Sequence, residues 1–157
     1  MRKTGFLNKL RKENKIQLVE PSNDLKTAYF ERSAESLQSA KVLLKINNLK
    51  DAVALTYYSM YYGLLALLFR VGIKCENHTA AIMLLKGVFD IENSSIHKAK
   101  KERVDKQYYV DFAVTREEVS DLIKTAEEFN AHLLDFTEKI GQKEVCEYRQ
   151  KAAKLLN

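Results

Sequence analysis

The chain has 157 residues, of which 46% are hydrophobic, and this is enough to bury the core of one domain. A single Pro and five Gly are too few turn residues for an all-β fold with many hairpins, so the composition favours helices. Lys and Arg number 26 against 21 Asp and Glu, and the net charge of +5 permits contact with RNA or nucleotide phosphates without requiring it.

The cysteines and the N-terminal residues predict a cytoplasmic protein. Cys75 and Cys146 lie far apart and form neither a C-x-x-C pair nor a zinc-ligand spacing, so we expect reduced thiols. Residues 1–15 are basic and lack the apolar region of a signal peptide. Both observations are typical of a protein that stays in the cytoplasm.

Residues 1–20 form a basic lead-in to the chain. Phe6, Leu7 and Leu10 have helical spacing, which permits a short amphipathic helix. Six Lys and Arg side chains surround them, and we favour a solvated terminus over an arm that binds nucleic acid. The only proline follows this segment, and we expect residues 21–157 to form a single helical-bundle domain.

Amphipathic segments predict an all-α fold, an up-and-down bundle of four to five helices. Apolar residues recur in them at spacings of three and four. Asn77 is a good N-cap, Thr115 and Glu118 fit a capping box, and Gly72 is a natural helix end. The expected helices cover residues 24–46, 51–71, 78–90, 115–140 and 143–156. Residues 91–110 are less regular, and we interpret them as a basic connection with a helical piece at its end.

The helix expected at 51–71 is the most apolar part of the chain. Its apolar run, residues 52–69, is near the lower length limit of a membrane span. Because the run also contains Thr56, Ser59 and four tyrosines, we expect a buried helix of a soluble bundle and no membrane contact. It carries two apolar stripes, one for its own core and one that needs another helix or a second copy of the chain.

Four tyrosines on this helix form the first candidate binding site. Tyr57, Tyr58, Tyr61 and Tyr62 stand at i, i+1, i+4 and i+5. They fit core and interface packing with their hydroxyls at the rim. They also fit stacking on a nucleotide base, with Arg70 or the basic connection binding phosphate.

The turn after this helix and the basic connection supply the remaining candidates. Asn77 and His78 are a helix cap and a rim histidine, or a ligand contact with a general acid or base, since histidine titrates near neutral pH. Arg103 is a solvated charge, or it packs against the end of the bundle near His78, close in sequence to Tyr109. The catalytic candidates are thus His78, Arg70 and Arg103. The sequence has no nucleotide-binding or protease motif and no metal-ligand spacing, so we expect no metal and no cofactor.

Short motifs occur along the chain in an order that is typical of one family. They are Ser33-Ala34-Glu35-Ser36-Leu37 with Ala40-Lys41, Ala54-x-x-Tyr57-Tyr58-Ser59-Met60-Tyr61, Asn77-His78, Leu84-Leu85 to Phe89, Arg103-x-x-x-x-Tyr108-Tyr109, and Thr115 through Ala126-Glu127-Glu128-Phe129. On these residues the chain resembles the HEPN family (higher eukaryotes and prokaryotes nucleotide-binding domain), in its small stand-alone prokaryotic branch. The resemblance covers residues 24–140.

The resemblance implies a homodimeric bundle of four or five helices that pairs with a small nucleotidyltransferase, often in a toxin–antitoxin-like system. It also implies, for many members, a metal-independent ribonuclease built on an Arg-x4-6-His motif. This sequence departs from that motif, because the only histidine after Arg103 is His132 and no arginine precedes it at the required spacing.

We therefore expect a non-catalytic HEPN-type interaction module with a nucleotidyltransferase partner and with nucleotide or RNA as a further ligand. Its binding candidates are Tyr57, Tyr58, Tyr61, Asn77, His78, Arg103 and Tyr109. Two alternatives remain open. One is a metal-independent endoribonuclease toxin that uses His78 with Arg70 or Arg103. The other is a purely structural helical adaptor.

Overall fold

A computed structural model describes residues 2–108 and 113–157 of the chain. Within these ranges the helices are α1 (Arg2–Lys12), α2 (Asn23–Lys45), α3 (Leu49–Val71), α4 (His78–Phe89), α5 (Ser94–Tyr108), α6 (Arg116–Glu138) and α7 (Gln142–Leu156). Two short strands, β1 (Ile16–Leu18) and β2 (Ile73–Cys75), pair with each other. The prediction of an all-α helical bundle is confirmed, with a helix α1 in the lead-in and a helix α5 where a connection was expected.

Helix α3 is the centre of the bundle. It is long and apolar enough to cross a membrane, but 78% of its most apolar window is buried inside the chain. Helices α2, α5 and α6 pack along it. Both of its apolar stripes are therefore covered within one copy of the chain, and a second copy is not needed to bury either one.

Helices α2 and α3 approach closely because small side chains face each other. The Ser33 Oγ donates to the Ser59 carbonyl at 2.6 Å, and the Ser59 Oγ donates to the Ser33 carbonyl at 2.7 Å. Asn130 of α6 donates to the Ser59 Oγ at 2.8 Å. Gly63 lies beside these side chains, at ordinary packing distance from the Ser33 hydroxyl and the Asn130 amide oxygen. This buried polar cluster fixes the position of α2 against α3, since unpaired polar groups in a core are costly.

The segment expected to be a turn after α3 contains strand β2. Gly72 ends α3 in the left-handed region, with φ 78°, which glycine adopts at low cost. The chain then extends, and Ile73 and Cys75 pair with Leu18 and Ile16 of β1. Three-residue strands are too short to show a periodic pattern in the sequence.

Two further segments differ from the sequence interpretation. Leu7 and Leu10 of α1 are buried and α1 packs on α7, so this part of the lead-in is not simply solvated. Helix α5 replaces most of the expected basic connection and is held to α3 by its buried Ile96 and Ala99. The division of the chain between residues 20 and 21 stays a prediction.

Candidate functional site

Strand β2 determines where His78 lies. Each extended residue advances about 3.3 Å, so β2 carries the chain from the end of α3 back toward the middle of that helix. Asn77 then caps α4, because its side-chain oxygen accepts from the Ala80 amide at 2.9 Å. His78 is the first residue of α4 and is fixed beside α3 by this cap.

Three tyrosines of α3 contact the His78 ring. The ring stacks on Tyr61, with centroids 3.9 Å apart and an interplanar angle of 16°. Its Nδ1 is 2.8 Å from the Tyr57 hydroxyl, within hydrogen-bond distance. Tyr58 presents an edge-to-face ring at 6.3 Å. Because Nδ1 is occupied by Tyr57, Nε2 is the ring nitrogen that remains for a ligand.

Helix α5 brings two cationic side chains to the same place. Arg103 Nη1 donates to the Tyr58 hydroxyl at 2.6 Å, and its guanidinium carbon lies 5.3 and 5.2 Å from the centroids of the Tyr57 and Tyr58 rings. Lys100, one turn earlier, donates from Nζ to the Thr79 hydroxyl at 2.6 Å. Helices α3, α4 and α5 thus meet in one group of residues, which we call the cationic face: Tyr57, Tyr58, Tyr61, His78, Thr79, Lys100 and Arg103.

No carboxylate of the described residues balances the positive charge of the cationic face. Among the described residues, no carboxylate forms an ion pair with Lys100 or Arg103. The Arg103 Nε is buried and has no hydrogen-bond partner within the same part of the chain. Cations without an ion-paired carboxylate are suited to an anion such as a phosphate group.

Burial and the local positive charge set the protonation states. Burial lowers the pKa of His78 below its ordinary value, and Arg103 and then Lys100 lower it further. Burial, followed by Arg103, lowers the pKa of Lys100. Burial raises the pKa of Tyr57 and of Tyr61 well above the ordinary phenol value, so both hydroxyls stay protonated near neutral pH. A neutral His78 offers Nε2 as an acceptor or as a donor, depending on the tautomer that the Tyr57 hydroxyl selects.

The structure brings together most of the site residues that the sequence suggests, but not Arg70. Tyr57, Tyr58, Tyr61, His78 and Arg103 lie at the cationic face, and Asn77 is next to it as the cap of α4. Arg70 instead donates to the Ile140 carbonyl at 2.8 Å, about 18 Å further along α3 than Tyr58. Tyr109 lies outside the described residues.

Sequence reasoning missed Lys100 and Thr79. Lys100 stands among several lysines, and one lysine in a basic run is most simply interpreted as solvated. Thr79 follows His78 directly, but nothing in its spacing links it to Lys100. No group of three or more His, Cys, Asp or Glu side chains in the described ranges could hold a metal ion.

By its fold the protein is a small helical domain. Its candidate site is a histidine and two basic side chains that lie next to tyrosines of the central helix. The HEPN domain family model matches residues 27–136, well over half of the chain, and the chain belongs to this family. The match contains every residue of the cationic face. A curated relative named "Putative toxin MJ0605", of Methanocaldococcus jannaschii, is 28% identical over 109 residues, which cover 65% of this chain and 81% of that protein. The resemblance stated from the sequence motifs is confirmed.

Proposed function

We propose that this chain is a toxin-like HEPN module that binds a phosphate group of RNA or of a nucleotide at its cationic face. One observation carries the proposal. Arg103 and His78 lie against the tyrosines of α3, Lys100 is next to them at Thr79, and none of the three has an ion-paired carboxylate among the described residues. Placing like charges together without a counter-ion costs free energy, which an anionic ligand would recover.

The geometry suggests a role for each group. Arg103 is oriented by the Tyr58 hydroxyl, and its guanidinium group supplies the positive charge for a phosphate oxygen. Lys100 adds a point charge from the same helix, and His78 adds Nε2 from the first turn of α4. Tyr58 is half-buried, so part of its ring is left for contact with a base or ribose.

The same proposal includes a cytoplasmic homodimer that pairs with a small nucleotidyltransferase in a toxin–antitoxin-like system. Membership of the HEPN family and the toxin description of the relative support this context. The test is co-expression with a small nucleotidyltransferase from the same organism, and the expected result is a complex of fixed stoichiometry. Independent elution of the two proteins at micromolar concentration would overturn this part of the proposal.

Binding is tested with a fluorescently labelled single-stranded RNA oligonucleotide, titrated with the full chain at several salt concentrations. We expect the logarithm of the association constant to fall linearly with the logarithm of the salt concentration. Arg103→Gln should weaken binding and reduce the slope by about one. Arg70→Gln removes the same charge at the other end of α3 and should leave the slope unchanged. A wild-type chain that binds neither RNA nor ATP, or equal slopes in both variants, would overturn the proposal.

A second candidate function is metal-independent RNA cleavage. It is favoured by the proximity of a neutral His78 to Arg103, since a base and a cation that stabilises a phosphate charge are what such a reaction needs. The assay is RNA cleavage in EDTA by the wild type and by His78→Gln. Loss of cleavage in the variant supports this function. A wild type that binds RNA without cutting it overturns the ribonuclease hypothesis and supports the non-catalytic module.

A further inference from the structure

The outer face of α2 carries an exposed stripe with the spacing of a coiled coil. Exposed residues recur at alternating intervals of three and four, and we call them the α2 seam: Leu25, Ala28, Arg32, Glu35, Ser39, Val42 and Ile46. Such a 3-4 repeat is how one helix presents itself to another. The core-facing side of α2 is a different set of residues, so the seam is not needed for the fold.

The α2 seam is more apolar than a solvated helix face. Leu25 is 42% exposed, Val42 48% and Ile46 67%. These are three of the five large apolar side chains that are exposed among the described residues, the others being Leu18 and Leu134. Exposed apolar residues that share one stripe, rather than being scattered, mark an interaction surface.

The centre of the seam carries two charged side chains of opposite sign that are available for ion pairs with another molecule. Arg32 and Glu35 form no ion pair with any described residue, although both lie at the surface. The Arg32 guanidinium carbon is held 4.8 Å from the centroid of the Tyr62 ring. Ala28, Arg32, Glu35 and Ser39 also line a shallow groove between α2 and Leu55 of α3, which gives this part of the seam a concave shape.

The seam is complementary to the same seam of a second copy in antiparallel orientation. When two copies of α2 are laid antiparallel about a two-fold axis between Arg32 and Glu35, six of the seven seam residues fall opposite one another in register, and Ile46 lies beyond the paired layers. Leu25 faces the partner's Val42, and Ala28 faces the partner's Ser39. Arg32 faces the partner's Glu35, and the symmetry repeats each contact. Apolar meets apolar, small meets small, and each charge meets its opposite.

We propose that a second copy of this chain docks on the α2 seam through an antiparallel α2–α2 contact. This inference rests on the proposed homodimer and names its surface. A second copy is the occupant because the six seam residues from Leu25 to Val42 pair with one another across the axis, including two symmetry-related pairs between Arg32 and the partner's Glu35. Small residues on both sides of these pairs let the two helices approach closely.

The test is a charge exchange in the full chain, followed by sedimentation equilibrium across a range of concentrations. Arg32→Glu and Glu35→Arg each place like charges across the axis and should weaken self-association by at least about tenfold. An equimolar mixture of the two variants should associate, because every charged layer of the mixed dimer is again opposite in sign. The double variant R32E/E35R should also recover the wild-type mass.

A matched pair of apolar variants checks the position of the surface. Val42→Asp lies on the seam and should give a monomer, whereas Leu134→Asp, at a similar exposure on α6, should leave the dimer intact. A wild type that is monomeric throughout, or charge variants that associate like the wild type, would overturn the inference.

The outcome is separable from the RNA proposal, because RNA binding is read out independently. A monomeric wild type that binds RNA overturns the homodimer and its seam alone. A dimer that is sensitive to the seam variants but does not bind RNA supports the seam and overturns the ligand proposal.

Discussion

His78 lies between the tyrosine rings of α3 and the two cationic side chains of α5. Stacking on Tyr61 and the contact with the Tyr57 hydroxyl hold the ring, while Arg103 and Lys100 disfavour its protonation. The sequence could predict the tyrosine platform, because residues four apart share a helix face. It could not predict the lysine, since a contact across 21 residues leaves no pattern in the chain.

The depressed pKa of His78 predicts a loss of stability in mild acid. The unfolded chain binds the proton at about pH 6.5 and the folded chain only below that, so the free energy of unfolding should fall as the pH drops below about 6.5. In His78→Gln this part of the pH dependence should disappear. Urea denaturation between pH 5 and pH 8 measures it, with His132→Gln, an exposed histidine, as the control. Identical pH profiles for His78→Gln and the wild type would contradict the argument.

The Tyr57 hydroxyl should contribute measurably to stability. Tyr57 is fully buried and its hydroxyl pairs with His78, so Tyr57→Phe should lower the free energy of unfolding by about 1 kcal/mol. Tyr62→Phe is the matched control, because the Tyr62 hydroxyl has no hydrogen-bond partner among the described residues, and its effect should stay within about 0.5 kcal/mol. Equal losses in the two variants, measured by urea denaturation, would assign the effect to packing alone.

At the level of elements, sequence patterns identify helices α2, α3, α4, α6 and α7 and miss most of α5 and both strands. The caps at Asn77 and Thr115 form as expected, because both side chains accept from the backbone of the next turn. Helix α5 was interpreted as a connection because its apolar contacts are few, chiefly Ile96 and Ala99, among many charges. Strands β1 and β2 depend on a pairing between distant segments, which local propensity does not encode.

Arg149 of α7 should be important for the end of α3. Its Nη1 donates to the carbonyls of Val19, Val71 and Gly72, at 2.7, 2.9 and 3.1 Å. Arg149→Met leaves these carbonyls without that donor, and the free energy of unfolding should fall by about 2 kcal/mol. Lys143→Met, which changes an exposed residue of the same helix, should have an effect within about 0.5 kcal/mol. Chemical denaturation of both variants measures the difference, and equal effects would contradict this role.

For the whole molecule, the charge distribution matters more than the net charge. A net charge of +5 is modest for 157 residues, and many surface lysines have an ion-pair partner. The positive charge at the cationic face is instead concentrated, and within residues 2–108 and 113–157 it has no ion-paired carboxylate. The composition shows only that the chain could bind phosphate. The packing of α3, α4 and α5 indicates where on the protein such a group would bind.

A ligand at the cationic face should therefore stabilise the entire fold. At a free concentration of about one hundred times its dissociation constant, single-stranded RNA would add about 2.7 kcal/mol to the free energy of unfolding. For a chain of this size the melting temperature should rise by on the order of 5–10 °C. Differential scanning calorimetry should show the shift in the wild type and in Arg70→Gln but not in Arg103→Gln at the same RNA concentration. A shift of equal size in Arg103→Gln would place the ligand elsewhere.

The pairing of β1 with β2 affects how the protein can be divided. The family match, residues 27–136, includes β2 and His78 but neither β1 nor Arg149. A fragment cut at those limits would keep every residue of the cationic face, yet it would expose the β2 edge to other chains. The residues that match the family model therefore lack the partner strand of β2. In this protein, the strand that leads from α3 to His78 is thus paired and capped by segments that lie outside the family match.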